Sequence, residues 1–541
     1  MNRRILYLII FFLIAILYGK SLSYDFTRDD IQVFTQNDLV QNQNFDLFEI
    51  FSTPRLYGFK KYNDGTYRPF TIFSHSLDYR LFGKSSFFPR LINLVLYLLI
   101  CILIYECLVK VKMPSPAIFS IFLFICHPIH SEVVINIKGR DELLSLFFLL
   151  LTTLYFLKSS KPSFLSLFGF LIACFCKETS ILFAIMLFGT IYIYTSNLKI
   201  TLKMTYPYFL IAYVFILVRL NILKEFLPST TVADPIENPL VFANGLELIA
   251  TPFSLFANYI KLLIIPYPLN SDYSYQTLYP VNFTNINSII GLLIFLIIAV
   301  SIFLLKKKKF LSSTLFCFLV SFSISLNFIV IGTIFGERLA FLASLFFCVL
   351  VALTINYLFL FYRKIAIIII FIICSTYSII LFDRVQDWKD DKTLITKDLK
   401  NHPLGVKFNR AMAIESMKKQ DWNSCLTYLD RALKIFPKAK ITQVEMLKCF
   451  LEAGKPSEAE NYFYQYSLEF KDNPSIVYSL AMSKKYNNKH PDALAGLKKT
   501  INLAPDFADA YKDIAIIYEI LNDKDMAEKY YAAYRKISSI N

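Results

Sequence analysis

The sequence predicts an all-α protein in which a polytopic membrane domain is followed by a solenoid of helical repeats. Of its 541 residues, 56% are hydrophobic and only 18% are charged, which lies outside the range of soluble globular proteins. Long apolar runs follow one another up to about residue 382, whereas the later sequence contains no run long enough to span a bilayer. We therefore expect a membrane domain over residues 1–382, a linker over 383–405 and a repeat domain over 406–541.

Twelve apolar segments are predicted in the membrane domain. They lie near residues 4–19, 90–109, 114–134, 141–157, 163–176, 179–195, 204–219, 240–265, 285–305, 310–331, 338–361 and 365–382. The segment at 240–265 contains Asn244, Glu247, Pro252, Asn258 and Lys261. Because it is too polar for a simple crossing, we expect it to lie at the interface or to re-enter the membrane. The other segments give about eleven transmembrane helices.

Basic residues recur in alternate connections between the apolar segments. They are Arg3 with Arg4, Lys110 with Lys112, Lys158 with Lys161, Lys199 with Lys203, Lys306 through Lys309, and Arg363 with Lys364. These connections contain no acidic residue and account for most of the net charge of +15. Positive residues favour the cytoplasmic side of a membrane, so we expect these connections inside and the polar motifs and the repeats outside. The positive charge therefore does not indicate a nucleic-acid partner.

A period of 34 residues organises the sequence from residue 406 onward. Two series follow it, Ala413, Leu447, Ala481 and Ala515, and Cys425, Ala459, Ala493 and Ala527. Small residues at this spacing let two antiparallel helices per unit approach closely, which is the tetratricopeptide pattern. We predict four units over residues 406–541, with a concave groove that binds a peptide or protein.

Two adjacent carboxylates follow the first apolar segment. Asp29 and Asp30 stand next to Arg28, about ten residues beyond that segment. One carboxylate could act as a general base while the other positions a hydroxyl or a cation. Acidic loops are also common without any catalytic role, so the residues alone leave both interpretations open.

The histidines and cysteines do not predict a metal site. His127 and His130 could share a helix face and bind zinc with Glu132, but no further ligand is evident. A histidine hydrogen-bonded at the membrane edge is the commoner arrangement. The ten cysteines show neither a disulfide framework nor a zinc spacing, so we interpret them as small hydrophobic residues. A divalent metal is left open as a cofactor.

Four cations stand at the outer ends of apolar segments: Arg68, Arg140, Lys177 and Arg338. Long basic side chains at such positions usually extend to the interface without further function. If several met at one headgroup level, however, they would suit a phosphate group.

A series of motifs along the chain resembles one family of enzymes. The motifs are Asp29-Asp30, Tyr67-Arg-Pro69, Phe88-Pro-Arg-Leu-Ile-Asn93, Cys126-His-Pro-Ile-His-Ser-Glu-Val133 with Gly139-Arg140, Cys176-Lys-Glu-Thr179, Glu237-Asn-Pro239, Ser271-Asp-Tyr-Ser274 and Gly336-Glu-Arg-Leu-Ala-Phe-Leu-Ala-Ser344. With the repeats, they resemble the transmembrane and tetratricopeptide-repeat O-mannosyltransferases, a family of GT-C glycosyltransferases, over essentially the whole chain. The resemblance implies a GT-C-type membrane domain and a polyprenyl-phosphate-linked sugar as donor. It also implies an inverting transfer of mannose or another hexose to Ser or Thr hydroxyls of a protein bound by the repeats.

The resemblance further implies roles for individual residues. Asp29 or Asp30 would be the base that deprotonates the acceptor hydroxyl. The candidates for binding the donor phosphate are Arg140, Lys177 and Arg338. Glu178 and Glu337 would hold those cations in place. The residues expected to line the site are Arg68, His127, His130, Glu132, Glu178, Asp272 and Glu337.

Other functions stay open at this point. The acceptor could be a glycan or lipid of the cell envelope instead of a protein, or the chain could be a non-enzymatic scaffold whose repeats bind a partner. A transporter would require ionisable residues near helix midpoints, which most of the segments lack. The Lys-, Ile- and Phe-rich composition is typical of bacteria, so we expect an inner-membrane protein with its site and repeats in the periplasm, or in the ER lumen of a eukaryote.

Overall fold

The computed structural model describes residues 2–42, 46–224 and 235–538. Within these ranges the regular elements are helices, apart from one isolated β-bridge between Tyr275 and Leu278. The chain divides into two units, Met1–Asn401 and His402–Asn541. Residues 383–401, which the sequence predicted to be part of a linker, belong instead to the first unit and are largely helical.

The first unit contains all twelve predicted apolar segments as helices. It begins with α1 (Arg3–Tyr18) and a polar segment that carries α2 (Asp38–Gln41), α3 (Leu47–Ser52) and α4 (Pro69–Phe82). The following helices are α5 (Phe87–Lys110), α6 (Pro114–Cys126), α7 (Ser131–Ile135), α8 (Arg140–Ser159), α9 (Phe164–Cys176), α10 (Leu182–Thr195), α11 (Leu198–Leu223), α12 (Glu247–Ile264), α13 (Ile286–Leu304), α14 (Lys309–Phe322), α15 (Phe341–Phe361), α16 (Arg363–Asp387) and α17 (Asp391–Asn401).

The number of helices able to cross a membrane differs from the prediction. Nine in the described part of the chain are long and apolar enough, or ten if the bent pair α6 and Pro128–Ile135 forms one span. Helices α9 and α14 are apolar but shorter. The prediction of about eleven counted both of these and excluded the segment at 240–265, whereas α12, within that segment, meets the criteria of length and composition.

Several of these helices present an apolar surface that suits contact with lipid. Helix α13 buries only Ser288 and Gly291, while side chains such as Leu293, Ile297 and Phe303 are more than half exposed. A protein surface of this kind would be unfavourable in water. Together with the apolar spans, it identifies a multi-pass integral membrane protein.

The polar segment between α1 and α5 is a packed structure and not an open loop. Phe34, Val40, Ile50 and Ile72 form a buried cluster with Ile137, which lies just before α8. Burial of these side chains favours this packing by the hydrophobic effect. It holds the segment that carries Asp29 and Asp30 against the start of α8.

The second unit confirms the predicted repeats. Its helices are α18 (Val406–Lys418), α19 (Trp422–Ile435), α20 (Lys440–Glu452), α21 (Pro456–Tyr462), α22 (Pro474–Tyr486), α23 (His490–Leu503), α24 (Ala508–Ile520) and α25 (Lys524–Ser538). The residues of both 34-residue series are buried at the helix contacts, as Ala481 and Ala493 illustrate. One interpretation was wrong, since Cys425 and Cys449 are paired as a disulfide with their Cα atoms 6.7 Å apart.

Candidate active site

The two adjacent carboxylates have different surroundings. The Asp30 side chain is fully buried, whereas that of Asp29 is 32% exposed. The two residues sit where the polar segment turns, directly after Arg28, whose backbone has a φ of 48°. Only Asp29 can therefore meet a molecule that approaches from outside.

Asp30 fixes the local backbone. Its Oδ2 atom accepts a hydrogen bond from the backbone N–H of Thr27 at 3.1 Å, and its Oδ1 atom accepts one from the backbone N–H of Lys138, also at 3.1 Å. The buried guanidinium of Arg90 lies 3.7 Å from Oδ2. Burial raises the pKa of Asp30 to about 6, against the lowering effect of Arg90 and these hydrogen bonds.

Asp29 lies between two cations. Its carboxylate forms an ion pair with the Lys138 ammonium, and its Oδ2 atom lies 3.8 Å from Nη1 of Arg338. Burial alone would raise the pKa of Asp29, but the positive charges of Lys138, Arg338 and Arg28 hold it well below its usual range. The Asp29 carboxylate is therefore ionised at neutral pH.

Arg338 is positioned by Glu132. The Nη1 atom of Arg338 donates to Oε1 of Glu132 at 2.9 Å, and its backbone N–H donates to Oε2 at 3.2 Å. The Arg338 side chain is nevertheless 31% exposed. Glu337, which was expected to hold a cation, instead accepts from the Asn270 backbone at 2.5 Å and from the Tyr273 hydroxyl at 2.8 Å.

A second group of charges lies beside the first. Arg68 donates to Glu178 at 2.9 Å and pairs with Asp141, while Lys177 pairs with Glu142. Lys177 is therefore held by Glu142. The sequence had led us to expect Glu178 in this role. Asp141 and Arg68 both act electrostatically on Arg338, so the two groups lie near each other and are together called the charged region.

The loop at 271–274 closes another side of the site. Nη1 of Arg28 donates to the Ser271 hydroxyl at 2.6 Å, and Nη2 lies 3.8 Å from Oδ2 of Asp272. Ser271 in turn donates its backbone N–H to Asp398 at 2.8 Å. Asp398 is buried and pairs with Arg384 at 2.9 Å, which ties this loop to α16 and α17.

Arg140 does not reach the charged region. Its side chain is buried, and it forms an ion pair with Asp78. Its remaining nitrogens donate to Asn93 Oδ1 at 2.9 Å and to the Pro89 carbonyl at 2.6 Å. The prediction that Arg140 binds the donor phosphate does not fit this geometry, because each guanidinium nitrogen already donates to the protein.

The two histidines are also enclosed. His127 contacts the Leu263 carbonyl through Nε2 at 3.0 Å, while its Nδ1 accepts from the Ile129 backbone at 3.3 Å. His130 lies between the Tyr97 hydroxyl at 2.9 Å and the Ser344 hydroxyl at 2.7 Å. Both are fully buried, so they support the packing behind the site and do not line it. Within the described ranges, no group of three or more His, Cys, Asp or Glu residues could hold a metal ion.

Sequence reasoning missed four charged residues of this region: Arg55, Lys138, Asp141 and Glu142. Arg55 lies 3.7 Å from Asp141 and pairs with Asp64 at 2.5 Å. The other three belong to the run Lys138-Gly-Arg-Asp-Glu142, a polar outer connection in which only Arg140 was predicted to be a site residue. The density of charge in that run was the available signal.

No protein-family model matches the chain. Among curated proteins, it is 31% identical to the mouse (Mus musculus) protein O-mannosyl-transferase TMTC1 over 30% of this chain and 19% of that one. It is 30% identical to the Caenorhabditis elegans protein O-mannosyl-transferase F38B6.6 over 28% of this chain and 23% of that one. The matches thus span about a fifth of each relative's length.

Among solved structures, a crystal structure of MamA is 18% identical, covers 27% of this chain and 85% of its own, and has a TM-score of 0.25. The curated relatives carry the name expected from the motifs. The resemblance of this chain to the transmembrane and tetratricopeptide-repeat O-mannosyltransferases is therefore confirmed over about 30% of its length.

Proposed function

We propose that this protein is a membrane glycosyltransferase that transfers mannose or another hexose from a polyprenyl-phosphate-linked donor to Ser or Thr hydroxyls of proteins. The curated relatives are named protein O-mannosyl-transferases. The observation that carries the proposal for this chain is the exposed Asp29 carboxylate flanked by Lys138 and Arg338. It combines a candidate base with candidate phosphate ligands in one open group.

Asp29 is the proposed general base. It is ionised at neutral pH, as a base must be, and it is more accessible than its neighbour Asp30. A carboxylate oxygen of Asp29 accepts the proton of the acceptor hydroxyl as the hydroxyl oxygen bonds to the anomeric carbon of the sugar. The bond between that carbon and the phosphate oxygen breaks, and polyprenyl phosphate leaves with the electron pair.

Lys138 and Arg338 are the proposed ligands of the donor phosphate. Arginine and lysine bind phosphate through charge-assisted hydrogen bonds, which stabilise the negative charge that develops on the leaving group. Lys177 and Arg68 supply positive charge nearby but are already paired with Glu142 and with Glu178. Arg140 is not among the proposed phosphate ligands.

The same cations would also control the strength of the base. Without donor, Lys138 and Arg338 lower the basicity of Asp29 by pairing with it. A phosphate that attracts both cations weakens these pairs, so the pKa of Asp29 rises when the donor is bound. The base would thus become effective only in the presence of the leaving group.

The repeats are proposed to bind the acceptor protein. Solenoids of this kind present an extended concave surface for other chains. The proposed location of the site and the repeats is the periplasmic or luminal side of the membrane. The basic residues of the alternate connections support it, since such residues favour the cytoplasmic side of a membrane.

The test compares Asp29→Asn with Asp25→Asn in membranes that contain the full chain. Asp25 is an exposed carboxylate of the same polar segment, so it controls for the loss of one charge. We expect Asp29→Asn to lower the transfer of labelled mannose from polyprenyl-phosphate mannose to protein by about 10²- to 10⁴-fold, the usual contribution of a general base. Asp25→Asn should retain transfer.

Two outcomes would contradict the proposal. Undiminished transfer by Asp29→Asn would remove the proposed base. Labelled mannose found only in glycan or lipid fractions, and not released from protein by β-elimination, would reassign the acceptor.

A further inference from the structure

A large cavity lies among the membrane helices on the side of the bundle away from the charged site. Its volume is about 620 Å³, within the range typical of small-molecule sites. It is formed by α5, α8, α10, α14 and α15, with Leu149, Phe183 and Leu345 among its apolar walls. None of the residues proposed for catalysis lines it.

The hydroxyl groups of the wall do not make the cavity polar. Thr153 donates to the Leu149 carbonyl at 2.8 Å, and Thr314 donates to the Phe310 carbonyl at 2.8 Å. Ser313 likewise donates to Lys309 of its own helix at 2.8 Å. Because these hydroxyls are satisfied within their helices, the wall offers mainly methyl and methylene groups to an occupant. An apolar chain therefore fits the interior best.

One end of the cavity is basic. Lys110 and Lys112 line it, both are exposed, and within the described residues neither forms an ion pair. Lys309 lies at the same end, where its Nζ donates to the carbonyl of the lining residue Tyr194 at 2.7 Å. This end carries the positive charge that an anionic headgroup requires.

The basic end and the charged site are separated by the thickness of a membrane. Arg90, near the start of α5, contacts Asp30, whereas Lys110 ends the same helix. At 1.5 Å per residue, the intervening part of α5 spans about 30 Å, which matches the hydrocarbon core of a bilayer. The two features therefore belong to opposite leaflets.

We infer that this cavity binds an anionic phospholipid from the leaflet opposite the candidate active site. One acyl chain occupies the apolar interior, and the phosphate of the headgroup binds Lys110 and Lys112. Basic pockets between membrane helices commonly recognise anionic headgroups in this way. This inference does not depend on the proposed transferase activity.

The test measures lipids retained by the purified full chain in native mass spectrometry, after reconstitution into nanodiscs with equal amounts of phosphatidylglycerol and phosphatidylcholine. The wild type should retain phosphatidylglycerol preferentially. The double variant Lys110→Gln/Lys112→Gln should reduce this preference by about tenfold or more, since each surface lysine attracts anionic lipid. The control Lys161→Gln/Lys364→Gln, which removes two exposed lysines that do not line the cavity, should keep the preference.

A second pair of variants tests the apolar interior. Thr153→Trp should fill part of the cavity and lower the retention of phosphatidylglycerol. Thr153→Val should leave this retention unchanged, because valine and threonine have similar volumes. Equal retention of both lipids by the wild type would overturn the inference, as would an unchanged preference in Lys110→Gln/Lys112→Gln. Because those two lysines are exposed, their variant tests the inference even if Thr153→Trp fails to fold. Preferential retention of added polyprenyl phosphate over phosphatidylglycerol would assign the cavity to a different lipid and would also overturn it.

Discussion

Replacing Arg140 and Arg338 separately by Gln distinguishes a structural arginine from a proposed phosphate ligand. The Arg140 guanidinium is buried and pairs with Asp78, and it also donates to Asn93 and to the Pro89 carbonyl. Arg338 is 31% exposed and lies beside Asp29. We therefore expect Arg140→Gln to reduce stability, and Arg338→Gln to reduce transfer with a smaller effect on stability, because Glu132 keeps its hydrogen bond from the backbone N–H of residue 338.

The magnitude follows from the burial of the pair. Removing one partner of a buried ion pair leaves the other charge unpaired, which costs about 3–5 kcal/mol. Since proteins are stable by only about 5–15 kcal/mol, this is a large fraction of the total. Replacing Asp78 by Asn in addition should recover part of the loss, because neither charge is then left alone. A double-mutant cycle should give a coupling of about 0.5–3 kcal/mol between the two positions.

The assay combines thermal unfolding of the detergent-purified chain with sugar transfer by the protein that stays folded. Arg140→Gln should unfold at a lower temperature. The protein that stays folded should have the same KM for the donor as the wild type. Arg338→Gln should unfold closer to the wild-type temperature than Arg140→Gln does and show a raised donor KM. Normal unfolding of Arg140→Gln with a raised donor KM would refute this reasoning and restore Arg140 as a phosphate ligand.

Two further predictions concern Lys138 and its neighbour. The pKa of Asp29 is held below its usual range partly by Lys138, so Lys138→Gln should raise that pKa and move the acidic limb of the kcat/KM profile to higher pH; an unmoved limb would argue against Asp29 as the titrating base. A Cβ at Gly139 would collide with the Val133 carbonyl, so Gly139→Ala should destabilise the chain by about 1–3 kcal/mol in thermal unfolding. Gly332→Ala, where a Cβ meets open space, is the matched control and should be neutral.

Much of the fold could be predicted because it follows from local patterns. Each of the twelve apolar segments is helical, and the 34-residue period places Ala481 and Ala493 at buried helix contacts. The number of membrane crossings was harder to predict from the sequence, since it depends on the length of each helix and on whether a bend interrupts the helix. Helix α14, for example, ends at Phe322, although the apolar segment was expected to reach residue 331.

The candidate site could be predicted only in part, because the direction in which a side chain points depends on where its helix begins. The run Lys138-Gly-Arg-Asp-Glu142 spans the start of α8, where successive side chains point in directions about 100° apart. Arg140 consequently faces Asp78 and Asn93, whereas Asp141 faces the charged region. The density of charge marks such a run as a candidate for a functional site, but it does not show which of its side chains reaches that site.

Asp29 and Asp30 illustrate what adjacency can and cannot reveal. Both carboxylates contact Lys138. The Asp30 carboxylate accepts a hydrogen bond from the backbone N–H of Lys138 at 3.1 Å, and the Asp29 carboxylate pairs with the ammonium group of Lys138. Asp30 therefore fixes the backbone of Lys138, while Asp29 pairs with the Lys138 ammonium group. A carboxylate with both oxygens committed to the backbone cannot also exchange a proton with a substrate without breaking that support. In the proposed mechanism the pair is thus a base with its positioning residue and not two equivalent candidates, and the buried member holds the backbone of Lys138 close to the exposed member.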